Sequence, residues 1–247
     1  MKVEPIIDEF VRGFGGELVR DLLPKGVNLP RNADYLVFDR TVVAELKSLE
    51  ENYFSALRIG EKMTRLANKW IRQGDLKRHQ IKNGRFSTAD LRPRCAFEAL
   101  DVLGKPIHKA LTDANKQIKE TETYFDLPNA VGLIILANDG NFALTPDLTI
   151  DILSHQFKKH FSAIESFIFI APHLPAEMRG VDKELRVWMS GSTRQESVGV
   201  PEAHLSQLGD AWQDFVQSKS DEPIERIDIN DHSRVRDLRF IGTKGSI

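Results

Sequence analysis

The chain has 247 residues, 41% of them apolar and 28% charged, with a formal net charge of −2. These are the proportions of an ordinary water-soluble globular protein, long enough to bury a sizeable core. No apolar run reaches eighteen residues, which excludes a membrane-spanning helix. The opening "MKVEPIIDEFVRGF" has early acids and no apolar core of a secretory signal, and Cys95, the single cysteine, excludes an internal disulfide; a reducing, cytoplasmic setting fits both.

Val3, Ile6, Ile7, Phe10, Val11, Phe14, Leu18 and Leu22 recur at helical spacing, and Gly13, Gly15 and Gly16 weaken the middle, so the first element reads as one or two helical pieces. "ADYLVF" and "TVVAELKS" follow as a hairpin over 33–48 around a tight Asp39-Arg40 connection, apolar enough to be covered on both faces. Residues 51–102 form a polar, mostly helical insert. "GKPIHKALTDANKQIKETETYF" predicts an amphipathic helix, "AVGLIIL" a buried strand, 147–161 a helix, "IESFIFIAP" a second buried strand and "LRVWMSG" a shorter one. From about 194 the chain turns polar, with a helix in "PEAHLSQLGDAWQDFVQ" and a charge-rich, peripheral tail. Interleaved helices and buried strands predict an α/β fold, a central mixed sheet flanked by helices. The sheet-bearing domain spans 1–193, with a core at about 10–50 and 103–170, and 194–247 is a C-terminal extension.

Charge is distributed unevenly. Residues 58–94 hold eleven Lys and Arg against three acids, a local +8 that leaves the remainder at −10. A basic block in an acidic chain suits a polyanion.

Three charges lie in the hairpin: Asp34 in the first run, Glu45 and Lys47 in the second. Residues two apart on a strand share a face, so Glu45 and Lys47 project together, and register decides whether Asp34 meets them. Converged, two carboxylates and the Leu46 carbonyl make an all-oxygen site suited to Mg²⁺, and Lys47 can hold a water or stabilise phosphorane charge. The ordinary alternative is a salt-bridged pair on a solvent face. The triplet alone carries little information, since Asp75-Leu76-Lys77 has the form acid-x-lysine too, in a polar, basic context. The surrounding Val42, Val43, Ala44 and Leu46 favour a function, because a buried charge is costly unless it is paired or holds a metal.

"ADYLVF" with "VVAELKS" resembles the PD-(D/E)xK nuclease superfamily, with its restriction-endonuclease-like fold and a metal site of one aspartate and an E-x-K on the next strand. The matching positions are Asp34, Glu45 and Lys47. "GFGGELVRDLLPKG" is similar to the first helix of that family, which places Glu17 at the metal site, and the helix at 105–122 offers Gln117 towards the phosphate. Ala33 replaces the usual proline, and the insert is longer than the minimal core needs. The resemblance implies that 1–193 is a nuclease-like domain: a Mg²⁺-dependent endonuclease, with Mn²⁺ a possible substitute. It would act on a nucleic acid, DNA before RNA, in restriction, repair or host defence. In that reading Lys69, Arg72, Lys77, Arg78, Lys82 and Arg85 of the insert grip backbone phosphates, and Trp70 packs in a core.

The alternative is a non-catalytic nucleic-acid-binding or scaffolding protein on the same fold, with Glu45 and Lys47 as a salt bridge. A homodimer is compatible with two-strand cutting, and the C-terminal third is open to a protein partner. His155 and His160 are poorly spaced for a shared metal, no G-x-G-x-x-G follows a strand, and "SGSTR" lacks the serine-hydrolase elbow.

Overall fold

The computed structural model describes residues 2–24, 31–49, 56–81, 91–159, 161–182, 184–193, 199–220, 224 and 232–241. Helix α1 (Val3–Gly13) buries Val3, Ile7, Phe10 and Val11 along one stripe. No helix continues over Glu17. Gly15 takes φ +89°, and a Cβ on Gly16 would lie 2.7 Å from Val11 Cγ1 and 2.8 Å from Val37 Cγ1. That close approach, open only to glycine, redirects the chain into a two-residue strand, β1 (Glu17–Leu18), and a single helical turn, α2 (Val19–Leu22).

The hairpin forms as β2 (Tyr35–Val37) and β3 (Val42–Ser48), antiparallel, with Tyr35 opposite Ala44 and Val37 opposite Val42. Its connection is longer than a two-residue turn. Phe38, Asp39 and Arg40 have φ of 52°, 51° and 66°, three successive left-handed residues without a glycine. Such conformations persist where surrounding contacts impose them. Here Phe38 stacks on His204 at 4.0 Å between ring centres, Arg40 pairs with Glu17, and the Thr41 amide and hydroxyl both donate to the Phe38 carbonyl.

The insert comprises α3 (Ala56–Gln73), a 3₁₀ turn at Arg78–Gln80 and α4 (Pro93–Leu103). It has its own small core of Ala67, Trp70, Leu76, Cys95 and Ala99. There follow α5 (Lys105–Tyr124), β4 (Val131–Ala137), α6 (Pro146–Gln156), β5 (Ser166–Ile170), β6 (Ala176–Met178), β7 (Trp188–Ser192), α7 (Glu202–Ser218), α8 (His232–Val235) and β8 (Leu238–Phe240).

The main sheet is mixed, in the order β1-β2-β3-β4-β5-β7. Strands β3, β4 and β5 run parallel; the other neighbouring pairs are antiparallel. Helices cover both faces, so the α/β architecture read from the sequence is the one observed. On one face Val43, Ile134 and Phe169 pack with Ile107, Leu111, Ala114 and Ile118 of α5 and with Ile152 and Leu153 of α6. On the other, Val42, Ala44, Ile135 and Ile168 pack with α1 and with Leu205, Leu208 and Trp212 of α7. The tail is less peripheral than its composition suggests: β8 pairs with β6, and Val235 and Leu238 join the core on the α5 face.

Gly132 shows how tightly β4 is packed at its start. A Cβ there would stand 1.6 Å from the carbonyl oxygen of Ala163, and that neighbour is backbone, which cannot rotate aside. Gly132→Ala is therefore expected to lower the unfolding free energy by about 3 kcal/mol, the scale of core overpacking, read from chemical denaturation.

Candidate active site at the open end of the hairpin

The register of β2 and β3, carried one step beyond Tyr35 and Ala44, sets Asp34 opposite Glu45; the Asp34 amide donates to the Ala44 carbonyl at 3.2 Å. Past this point β2 ends, and the backbone of Leu46 has no strand partner on that side. The Asp34 side chain takes its place: Oδ2 accepts the Leu46 amide at 2.8 Å. The N–H and C=O of one extended residue point to the same strand edge, so the Leu46 carbonyl projects beside Asp34.

Glu45 is 1% exposed, on the face of the sheet that α5 covers. Its Oε1 accepts a 2.5 Å hydrogen bond from Lys47 Nζ, which also donates to Gln117 Oε1 at 2.6 Å. Gln117 is fixed in turn, its Nε2 donating to the Asn32 carbonyl at 2.9 Å. One turn further along α5, Thr121 Oγ1 accepts the Ala33 amide at 2.7 Å. The Asn32 carbonyl and the Ala33 amide are two ends of one peptide group, so Gln117 and Thr121 clamp the Asn32–Ala33 peptide, one residue before Asp34.

The electrostatics are uneven. Burial pushes the Glu45 carboxyl up to about 8, the Asp34 charge adds to the shift, and the attraction of Lys47 does not cancel it. Burial also raises Asp34, against the Leu46 amide that favours its ionised form. Glu45 Oε2 is buried and has no hydrogen-bond partner among the described residues. Among those residues no group of three or more His, Cys, Asp or Glu is placed to hold a metal ion. The oxygen set is Asp34, Glu45 and the Leu46 carbonyl. It fits a hard cation such as Mg²⁺, which needs few protein ligands because it keeps several waters. An orphaned carboxylate oxygen and two mutually repelling acids are the features that such a cation would relieve.

Glu17 lies elsewhere. It sits opposite Leu36, two residues nearer the hairpin turn than Asp34, about 7 Å along the strand. It forms a two-pronged pair with Arg40 at 2.7 and 2.9 Å, and Arg40 holds its carboxyl below the ordinary range. It pins the turn rather than joining the cluster. The charge from α1 that does reach the site belongs to Glu4, which contributes to raising Asp34. On the same helix, Asp8 accepts the Tyr35 hydroxyl at 3.0 Å and pairs with Arg20. Sequence reasoning passes over Glu4, Asp8, Asn32 and Thr121. Only Thr121 leaves a trace, at four residues from Gln117 on a helix that also buries Ile118.

The insert divides. Lys69 donates to both oxygens of Glu98 at 2.9 Å, and the Trp70 indole donates to the same carboxylate at 2.8 Å, so these two brace α3 against α4. Arg72, Lys77 and Arg78 are exposed and make no ion pair with a described residue. Lys82 and Arg85 lie outside the described residues. The second acid-x-lysine triplet is structural: Asp75 is taken by Arg92 and Arg94. His108 Nδ1 lies 3.0 Å from Gln156 Oε1, and His155 Nε2 lies 3.0 Å from Asp101 Oδ1, so both side chains are engaged by structural partners.

No family model matches this chain, and neither a curated protein nor a solved structure does. A small cavity of about 20 Å³ lies on the opposite face of the sheet, among Ile7, Phe10, Ile135 and Trp212, and shares no acid, lysine or amide with the Asp34–Glu45 cluster.

The raised Glu45 carboxyl has a consequence for stability. Between its ordinary value near 4.5 and about 8, the folded protein holds a proton here that the unfolded chain has released. Stability from this group is therefore present at low pH and falls as pH rises through that window. Glu45→Gln removes the dependence. The variant is expected to exceed the parent by on the order of 2 kcal/mol at pH 9 and to match it near pH 5. Denaturation curves of both proteins at several pH values test this, and parallel pH profiles would contradict the assignment.

Proposed function

We propose that this chain is a divalent-metal-dependent nuclease of the PD-(D/E)xK type, hydrolysing phosphodiester bonds of a nucleic acid, with DNA as the leading substrate. The observation that carries the reading is the joined cluster itself. A buried carboxylate, Glu45, and a half-buried one, Asp34, face each other across the open end of a hairpin, the former with an unpartnered oxygen, and a lysine is held against Glu45 by a glutamine from the covering helix.

In this reading Asp34, Glu45 and the Leu46 carbonyl would hold Mg²⁺ or Mn²⁺, and the ion would supply Lewis acidity towards water and offset charge on the phosphate. Gln117 orients the Lys47 ammonium by accepting from it. Lys47 then donates to the attacking water or to a non-bridging oxygen as negative charge develops there, a contribution worth roughly 10²–10³ in rate for a single preorganised donor. Water adds to phosphorus, the P–O bond to the 3′-oxygen breaks, and that oxygen takes up a proton, leaving a 5′-phosphate. Exposed Arg72, Lys77 and Arg78 in the insert are candidate phosphate contacts away from the reacting centre.

A non-catalytic nucleic-acid-binding protein is the second reading, and the 2.5 Å contact between Lys47 and Glu45 favours it. An ion pair alone leaves the unpartnered Glu45 oxygen and the Gln117 contact to Lys47 without a purpose.

Cleavage assays on single-stranded, double-stranded and branched DNA and on RNA, with Mg²⁺, Mn²⁺ or EDTA, separate the two. Metal-dependent cutting that falls by about 10²-fold or more in Lys47→Ala and in Glu45→Gln is the expected result. Binding without cutting, indifferent to metal and to both substitutions, would establish the second reading instead. A separate measurement concerns the insert. Replacing Arg72, Lys77 and Arg78 by glutamine is expected to flatten the log–log dependence of duplex affinity on salt by about 3, since each phosphate left unneutralised lowers the slope by about 0.9.

A further inference from the structure

Glu45 Oε2 is not the only unpartnered oxygen on this hydrogen-bonded chain. Asn32 Oδ1 is also buried without a partner among the described residues. Asn32 is joined to Glu45 by consecutive contacts: its main-chain carbonyl accepts from Gln117, Gln117 accepts from Lys47, and Lys47 donates to Glu45. Its peptide with Ala33 is gripped at both ends by α5, through Gln117 and Thr121. Asn32 therefore sits two residues before Asp34 on a backbone that the covering helix fixes, and its side-chain oxygen takes no part in that fixing.

An unpaired buried amide oxygen is costly, on the order of 1–3 kcal/mol. Both orphans on this chain are oxygens, and both lack a donor or a cation. A lone acidic pair would leave one such atom; here a neutral carbonyl-type oxygen accompanies it, and amide oxygens are ordinary company for hard cations and for the waters those cations retain.

We infer that Asn32 is a further cation-binding residue of this site: its Oδ1 accepts a hydrogen bond from a water held by the divalent ion that Asp34 and Glu45 bind. The inference rests on the proposed metal site, and it adds a role to a residue two positions before the aspartate. Outer contacts of this kind change metal affinity by roughly 10–100-fold. The clamp uses only the main chain of Asn32, so changing the side chain leaves the positioning of Asp34 intact.

The test is calorimetric titration of the full chain with Mn²⁺, without nucleic acid, for the parent, Asn32→Ala, Asn32→Asp and Glu45→Gln. Amide NMR of Leu46, recorded on the metal-free proteins, reports in parallel on the contact from Asp34. Asn32→Ala is expected to weaken Mn²⁺ about tenfold with the Leu46 resonance unmoved. Asn32→Asp, which keeps an oxygen, is expected to bind at least as tightly as the parent. If Glu45→Gln abolishes binding while Asn32→Ala stays within twofold of the parent, the role of Asn32 is overturned and the metal site stands. If the parent takes up no Mn²⁺, both fall. A displaced Leu46 resonance in Asn32→Ala would likewise overturn the role, by showing that the side chain supports the clamp.

Discussion

A carboxylate in the middle of a buried strand is the constraint around which the molecule is arranged. Glu45 lies between Ala44 and Leu46 on β3, almost inaccessible to water. An unpaired charge in that position would cost roughly several kcal/mol. Its neighbours answer that cost in part. Lys47 meets one oxygen, Asp34 lies across the strand pair, and Gln117 holds the lysine in place. The compensation is incomplete, since Glu45 stays easier to protonate than an ordinary glutamate. Incomplete compensation of a buried ionisable group that has a specific charge partner is a common mark of a group kept for its chemistry.

Helix α5 does two jobs with one surface. Ile107, Leu111, Ala114 and Ile118 bury the face of the sheet, and Gln117 and Thr121, set beside that stripe, reach the polar end of the hairpin. Because the two polar residues are one helical turn apart, they match the two ends of a single peptide group. Packing and site geometry are thus set by the same docking of helix on sheet. A shift of α5 along the sheet would disturb both at once.

Much of this is legible in the sequence. The apolar runs of β3, β4 and β5 and the periodicity of α5 are strong local patterns, and they suffice for the sheet and its flanking helices. Asp34, Glu45, Lys47 and Gln117 lie together, and that Glu45 and Lys47 share a face follows from their spacing on one strand. Glu17 is misplaced when helical spacing is carried through Gly15 and Gly16, because the close approach of Val11 and Val37 to Gly16 ends the helix. That approach is a tertiary fact with no local signature. Lys69 looks free in the sequence because its partner, Glu98, lies 29 residues away on another helix. Strands β6 and β8 are three residues each, too short for alternation to show.

The left-handed run Phe38–Asp39–Arg40 joins strands whose side chains alternate between faces, so the number of residues in it works like the teeth of a gear. One residue more or fewer would move Asp34 to the α1 side of the sheet while Glu45 stayed on the α5 side. The turn is held by Phe38 on His204 and by Arg40 on Glu17, residues far apart in the chain. The N-terminal segment and helix α7 therefore act as a gauge on loop length: an insertion or deletion in these three positions would separate the two acids in one step.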